Sequence, residues 1–348
     1  MDFPPRPGSS VPRRDASEGD RPDALEDGSG VNGDLDVPSF AREAEVTASE
    51  EIAEATERPL EPRPLPPEER GEAPPKPARG SRKLRGETLR RLLWALPWIL
   101  FAIVVVAVGG PLFAVAMTGL AWAVMVEFFR MTQRARPFQV VALASAAGMI
   151  LAAHFGDSFH IVLAGVAFFP VMLGFALARP SLTNVTWAMA VTVFAIVWIG
   201  LPFAHAVLLR DLPLHGAALL VDVLVATFFT DTFAYVGGRM FGQRPLAPMV
   251  SPNKTVEGLV IGTAGGVLGF WLAGLYQDWL SGPEALLFGL VVALLAPMGD
   301  LFESVIKRDL DVKDTGRMLG PHGGLLDRLD AVLFTVVGGY YLALLLVL

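Results

Sequence analysis

From residue 92 to the C-terminus the chain is a succession of apolar runs, each close to the length of a bilayer crossing. A hydrocarbon core about 30 Å thick is spanned by about 20 helical residues at 1.5 Å each. The runs are 92–108, 111–129, 138–155, 160–178, 184–203, 216–237, 257–276, 284–306 and 329–348. Lipid-facing backbone must be hydrogen-bonded within its own segment, and no alternating pattern supports a barrel, so each run is expected to be a helix. The predicted fold class is an all-α polytopic membrane protein with about nine transmembrane helices. Gly109-Gly110-Pro111 separates the first two runs and fits either a tight hairpin or a kink in one long helix.

Composition agrees and excludes other classes. Only 18% of the 348 residues are charged, against about 25% in soluble domains. Cysteine is absent, which excludes disulfides, thiolate catalysis and cysteine-based zinc sites. A net charge of −7 argues against a basic nucleic-acid-binding protein. The averages join two unlike chains. Residues 1–80 hold 19 of the 35 acidic residues, 10 of the 28 basic ones and 14 of the 27 prolines. That segment lacks the apolar content to offset chain entropy and is expected to be a disordered, acidic, Pro-rich tail. It resembles neither a secretory signal nor a transit peptide. Residues 81–348 carry 18 basic and 16 acidic residues and form the expected membrane domain.

The basic residues orient the spans. The flanks 81–91, 130–137, 179–183, 238–256 and 307–328 hold 17 Lys and Arg, whereas the opposite side holds Arg210 alone. By the positive-inside rule the first set is cytoplasmic. The expectation is a multi-pass protein of a bacterial plasma (inner) membrane with its N-terminus inside and Leu348 outside.

Charged groups within spans are costly and usually face the bundle interior or a wet site. They are Glu127, Asp222, Asp231, Asp300, Glu303 and Asp327. Glu127 closes its span and is read as reaching the interface; Asp222 is read as a structural partner at the far end. The others gather near the cytoplasmic ends of three helices. Asp231, Tyr235 and Gly238, with Arg239 beside them, begin one polar segment. It continues to Ser251-Pro-Asn253-Lys254-Thr255-Val-Glu257-Gly258, where lysine, hydroxyls and a helix N-terminus form a natural phosphate site. In the second segment Asp300, Glu303, Ser304 and Lys307 fall at i, i+3, i+4 and i+7, on one helix face. Pro297 is expected to kink that helix.

Carboxylates and hydroxyls without cysteine are hard oxygen ligands that favour Mg²⁺. Lys254, Lys307, Arg308, Lys313, Arg317 and Arg328 surround them. Magnesium between carboxylates with a Lys/Arg fringe is equipment for polyphosphate chemistry. Placed just below a membrane surface, it suits the meeting of a soluble nucleotide and a lipid phosphate.

Residues 304–330 read Ser304-Val-Ile-Lys307-Arg308-Asp-Leu-Asp-Val-Lys313-Asp314-Thr-Gly316-Arg-Met-Leu-Gly-Pro-His322-Gly323-Gly324-Leu-Leu-Asp327-Arg328-Leu-Asp330. This resembles the signature of the phosphatidate cytidylyltransferases, or CDP-diacylglycerol synthases. The segment 231–258 is similar to that family's other cytoplasmic motif. The resemblance covers roughly 92–348 and not the tail. It implies the Mg²⁺-dependent reaction of CTP with phosphatidate to give CDP-diacylglycerol and pyrophosphate, in a polytopic, often dimeric, membrane protein. It places the metal on Asp300 and Asp327, with one or two cations, and adds Lys307 and Arg328 to the catalytic set. Substrate contacts are expected from Asp231, Tyr235, Arg239, Ser251, Asn253, Lys254, Thr255, Glu257, Ser304, Arg308, Lys313, Asp314, His322, Gly323 and Gly324. His322 is read as a structural or phosphate-contacting residue rather than a base. The nearer rival is a CTP-dependent kinase of a polyprenol or similar lipid alcohol. A transporter fits less well, because the charges collect at one face and no internal repeat is visible.

Overall fold

The computed structural model describes residues 100–316, 318 and 323–347. The acidic tail, the start of the first predicted span and His322 lie outside the described residues. Within them the chain is an all-α, multi-pass membrane protein interrupted by one short β-hairpin. Residues 100–108 are helical. They are followed by α1 (Gly110–Met131), α2 (Gln139–Phe155) and α3 (Ser158–Leu177). Next come α4 (Val185–Ala195), a π turn (Ile196–Gly200), α5 (Leu201–Arg210) and α6 (Gly216–Phe241). The hairpin strands β1 (Pro245–Ala247) and β2 (Ser251–Thr255) lead into α7 (Val256–Gly274), α8 (Gly282–Asp309) and α9 (Leu326–Leu346). Among the described residues, seven helical segments are long and apolar enough to cross a membrane, with α4, the π turn and α5 counted as one; α2 is shorter, at 17 residues. Each of the eight runs predicted from 111 onward has its helix.

Local chemistry explains the boundaries. Gly109 breaks the helical path at φ 64°. The freed carbonyls of Val106 and Ala107 accept from the Arg210 guanidinium at 3.1 and 3.3 Å, which gives that basic residue a structural task. Pro202 lies at the start of α5. A proline inside a helix removes a donor and crowds the preceding turn; the wider π turn just before it accommodates both. Ser281 and Glu284 close a capping box on α8, and Pro297 lies within an otherwise continuous helix. Asp222, fully buried, accepts from Gln277 Nε2 at 2.6 Å. It thereby ties α6 to the turn between α7 and α8, the partner role expected of it.

In lipid there is little hydrophobic force between helices, so close backbone approach must supply the packing. Helix α7 meets α6 along a stripe of glycines. A Cβ on Gly262 would stand 2.6 Å from Ala234 Cβ and 2.8 Å from the Thr230 carbonyl oxygen. Helices α8 and α9 meet in the same way at Gly299, where a Cβ would stand 3.0 Å from Ala331 Cα. These contacts draw the polar ends of α6, α7, α8 and α9 together. Gly262→Val is expected to lower stability by about 1–3 kcal/mol through overpacking, read as a lower midpoint in thermal unfolding in detergent. An unchanged midpoint would place the α6–α7 contact elsewhere.

Candidate active site

The polar end of the bundle is assembled from four helices and the hairpin. In β2 and the start of α7, Thr255 accepts from the Gly258 amide at 3.1 Å and caps the helix. Glu257 gathers the Gln243 and Arg244 amides at 3.0 and 3.1 Å and Arg244 Nε at 2.9 Å. The hairpin is thereby closed onto the helix that follows it, with Pro245 opposite Thr255. This fold delivers Lys254, whose Nζ lies 2.5 Å from Asp300 Oδ2 on α8. Arg308 Nε donates to the Val250 carbonyl at 3.1 Å, pinning the hairpin tip to the end of α8.

On α8 the predicted face exists. Ser304 Oγ donates to Asp300 Oδ1 at 3.4 Å. Lys307 Nζ lies 2.6 Å from Glu303 Oε2, and Glu303 is 1% exposed. The same ammonium reaches Asp327 Oδ1 on α9 at 3.1 Å, so one lysine bridges carboxylates of two helices. Asp327 also accepts from the Thr315 amide at 3.2 Å and from the Gly324 amide at 3.0 Å. Gly323, at φ 85°, supplies the left-handed turn that aims the Gly324 amide back at it.

One carboxylate oxygen from each of Asp300, Glu303 and Asp330 lies within 4.8 Å of the others. Asp330 is buried, and its Oδ1 accepts from the Ala331 amide at 2.8 Å. Glu303 Oε1 is buried and has no hydrogen-bond partner among the described residues. Three hard oxygens at this spacing, one of them on a carboxylate with an unsatisfied buried atom, fit a divalent cation such as Mg²⁺. The grouping shares Asp300 with the pair expected from sequence. It adds Glu303 and Asp330, while Asp327 stands beside it through Lys307. Asp231, exposed on α6, is within electrostatic reach of Asp300 and Lys254.

The remaining expected residues are distributed around this centre. Arg239 Nη1 donates to the Tyr235 hydroxyl at 3.2 Å on the exposed face of α6. Asn253, Lys313, Asp314 and Arg328 are exposed, and Ser251 is half-buried at the start of β2. Glu257, Thr255 and Arg308 make the structural contacts already given, while His322 is outside the described residues. Glu127 corrects the sequence reading. It does not reach an interface; it is fully buried, and its Oε2 accepts from the Leu325 and Leu326 amides at 2.6 and 3.0 Å. A lone acid at the end of an apolar run signals expense but not its partner. Glu303 follows from the helical spacing of α8, whereas Asp330 was visible only as a motif residue and reaches Asp300 through the α8–α9 contact.

Fold and site together define a multi-pass membrane protein with a carboxylate cluster, fringed by lysines, at one end of its bundle. The chain belongs to the cytidylyltransferase family, whose model matches residues 89–346. It is 41% identical over 167 residues to a phosphatidate cytidylyltransferase of Mycobacterium leprae, covering 47% of this chain and 52% of that protein. It is 39% identical over 153 residues to a phosphatidate cytidylyltransferase of Bacillus subtilis, covering 42% and 55%. The uncharacterized protein YnbB of Escherichia coli is 40% identical over 169 residues, covering 46% and 53%. The chain thus spans about half the length of the curated relatives it matches.

The Lys307 bridge makes a specific energetic claim. Removing one partner of a buried ion pair costs about 3–5 kcal/mol because it strands the other charge. Lys307→Met is expected to destabilise by about that much, and adding Glu303→Gln to recover part of the loss. A denaturation cycle on the single and double variants checks this; strictly additive losses would show that the two side chains do not interact.

Proposed function

We propose that the protein is a phosphatidate cytidylyltransferase, joining CTP and phosphatidate to give CDP-diacylglycerol and pyrophosphate in phospholipid synthesis. The observation that carries this reading is the carboxylate cluster of Asp300, Glu303 and Asp330, with Lys254 and Lys307 against it, at the end of the bundle where the basic loops lie. Family membership and the names of the relatives support it. The excess of Lys and Arg on those loops supports a cytoplasmic site in a bacterial inner membrane, where a soluble nucleotide and a lipid phosphate have common access. The reaction is assigned to residues 81–348 and none of it to the tail.

The chemistry asks little of an acid or base. The nucleophile is a phosphate oxygen of the lipid, already anionic at neutral pH, so no side chain need take a proton and His322 need not be catalytic. The difficulty is electrostatic, since two polyanions must meet. Lys254, drawn into the cluster by Asp300, is placed to receive a nucleotide phosphate. Exposed Arg239, Arg308, Lys313 and Arg328 offer further positive charge for the lipid phosphate and the leaving pyrophosphate. Ser251, Asn253, Thr255, Ser304, Asp314, Gly323 and Gly324 shape the rim, with Tyr235 held beside Arg239. Asp300 and Asp327 are the pair that the family resemblance gives to Mg²⁺, and Glu303 and Asp330 join Asp300. A cation bound there would neutralise phosphate charge and polarise the α-phosphorus. Holding both reactants in line contributes much of the remaining rate.

Purified protein incubated with [α-³²P]CTP, phosphatidate and Mg²⁺ is expected to move the label into the lipid fraction and release unlabelled pyrophosphate. Label left in soluble CDP, with a phosphorylated lipid alcohol, would instead make it a lipid kinase. A chain lacking residues 1–80 is expected to retain the activity. Asp300→Asn and Asp327→Asn are each expected to fold and insert but to lose about 10²-fold or more of turnover, the usual scale for removing a preorganised charge at the reacting centre. Near-wild-type turnover in either variant would remove that residue from the site.

A further inference from the structure

Helix α9 opens without a cap of its own. Its N-cap residue is Leu325, which offers no side-chain acceptor. The first amides of any helix have no intrahelical partner and are normally taken by Ser, Thr, Asp or Asn at that position. Here the acceptor comes from a helix nearly 200 residues earlier in the chain. Glu127 on α1 places Oε2 2.6 Å from the Leu325 amide and 3.0 Å from the Leu326 amide. The residue is fully buried. Its negative charge faces the positive end of the helix dipole, where a carboxylate is favoured. Its other oxygen, Oε1, lies against the loop before the helix, close enough that a Cβ on Gly316 would stand 2.6 Å from it.

The grip falls at the start of α9, next to the residues that matter. Asp327 is one position beyond Leu326, and Asp330 is one helical turn farther on. Asp327 in turn holds the Thr315 and Gly324 amides, so the loop and the helix mouth are fixed from two sides. We propose that Glu127 is a positioning residue: by capping α9 from α1, it sets the depth and register at which Asp327 and Asp330 are presented to Asp300, Glu303 and Lys307. It touches no reacting atom. The catalytic part of this proposal rests on the cytidylyltransferase reading; the structural part, the cap itself, does not.

The test uses full-length protein in detergent and three variants. Glu127→Gln keeps an oxygen that can accept from both amides, Glu127→Asp keeps the charge but stops a methylene short, and Glu127→Ala removes the acceptor. Backbone hydrogen exchange at Leu325 and Leu326 reads the cap directly, without substrate or metal. Loss of an acceptor worth about 1.4 kcal/mol corresponds to about tenfold faster exchange, expected for Glu127→Ala, with Glu127→Asp intermediate and Glu127→Gln near wild type. Turnover per folded molecule is expected to fall about 10²-fold in Glu127→Ala, the scale of an ångström-level misplacement. The Mg²⁺ concentration for half-activation should rise with it, and Glu127→Gln should restore both. If Glu127→Ala does not fold, Glu127→Asp carries the same comparison. Unchanged exchange at the two amides would overturn the cap. Faster exchange with unaltered turnover and Mg²⁺ dependence would reduce Glu127 to a packing residue and overturn the positioning role. A wild-type protein with no CTP turnover would sink the functional reading and the catalytic half of the proposal together, while the exchange data still decide the cap.

Discussion

Carboxylates cannot be gathered at the end of a membrane bundle without compensation. Asp300, Glu303, Asp327 and Asp330 come from two helices, and burial there disfavours charge unless a partner is at hand. Two lysines meet that demand from different directions. Lys307 is on the same helix as Glu303 and bridges to Asp327 on the next, while Lys254 arrives on a hairpin and pairs with Asp300. The pairing is incomplete, since Glu303 Oε1 remains buried without a partner among the described residues. That residual demand for positive charge, in an oxygen beside Asp300 and Asp330, is the feature that supports the proposal of a cation there.

The rest of the fold serves this convergence. Glycines let α6 and α7 approach until a glycine meets the Ala234 Cβ, and let α8 and α9 approach until backbone meets backbone at Gly299. With no hydrophobic drive between helices in lipid, such contact is the main source of cohesion. The hairpin is small, but Glu257 and Arg308 fix both of its ends, so Lys254 is held on a rigid arm. Glu127 does the equivalent at the mouth of α9. A site built from parts this distant in sequence depends on such ties for its geometry.

The spans were legible because each apolar run is long and bounded by breakers. The run predicted at 216–237 is α6, and that at 284–306 is α8, which continues through Lys307 and Arg308 to Asp309. Hydropathy ends where charge begins, but the helix need not, so the predicted ends fall short. The same holds for 184–203, which extends to Arg210 past Pro202 because a π turn absorbs the proline. The hairpin at 245–255 was not anticipated: Ser-Pro-Asn-Lys-Thr lacks the alternation of a strand, and its shape is imposed by Glu257 and by α7. Within the site, the Asp300 face of α8 followed from helical spacing alone. The association of Asp330 with Asp300 did not, because it depends on how closely α8 and α9 pack at Gly299. Glu127 escaped for the same reason: its partners are backbone amides, which carry no signature in sequence.

The proposed chemistry requires a divalent cation at the cluster where α8 and α9 meet. Crystals of the full-length protein soaked in Mn²⁺, measured at the manganese absorption edge, test it most directly. An anomalous peak is expected in contact with the Asp300 carboxylate and with Glu303 or Asp330. An absence of density there at saturating Mn²⁺, or ordered metal bound only away from Asp300, would contradict it.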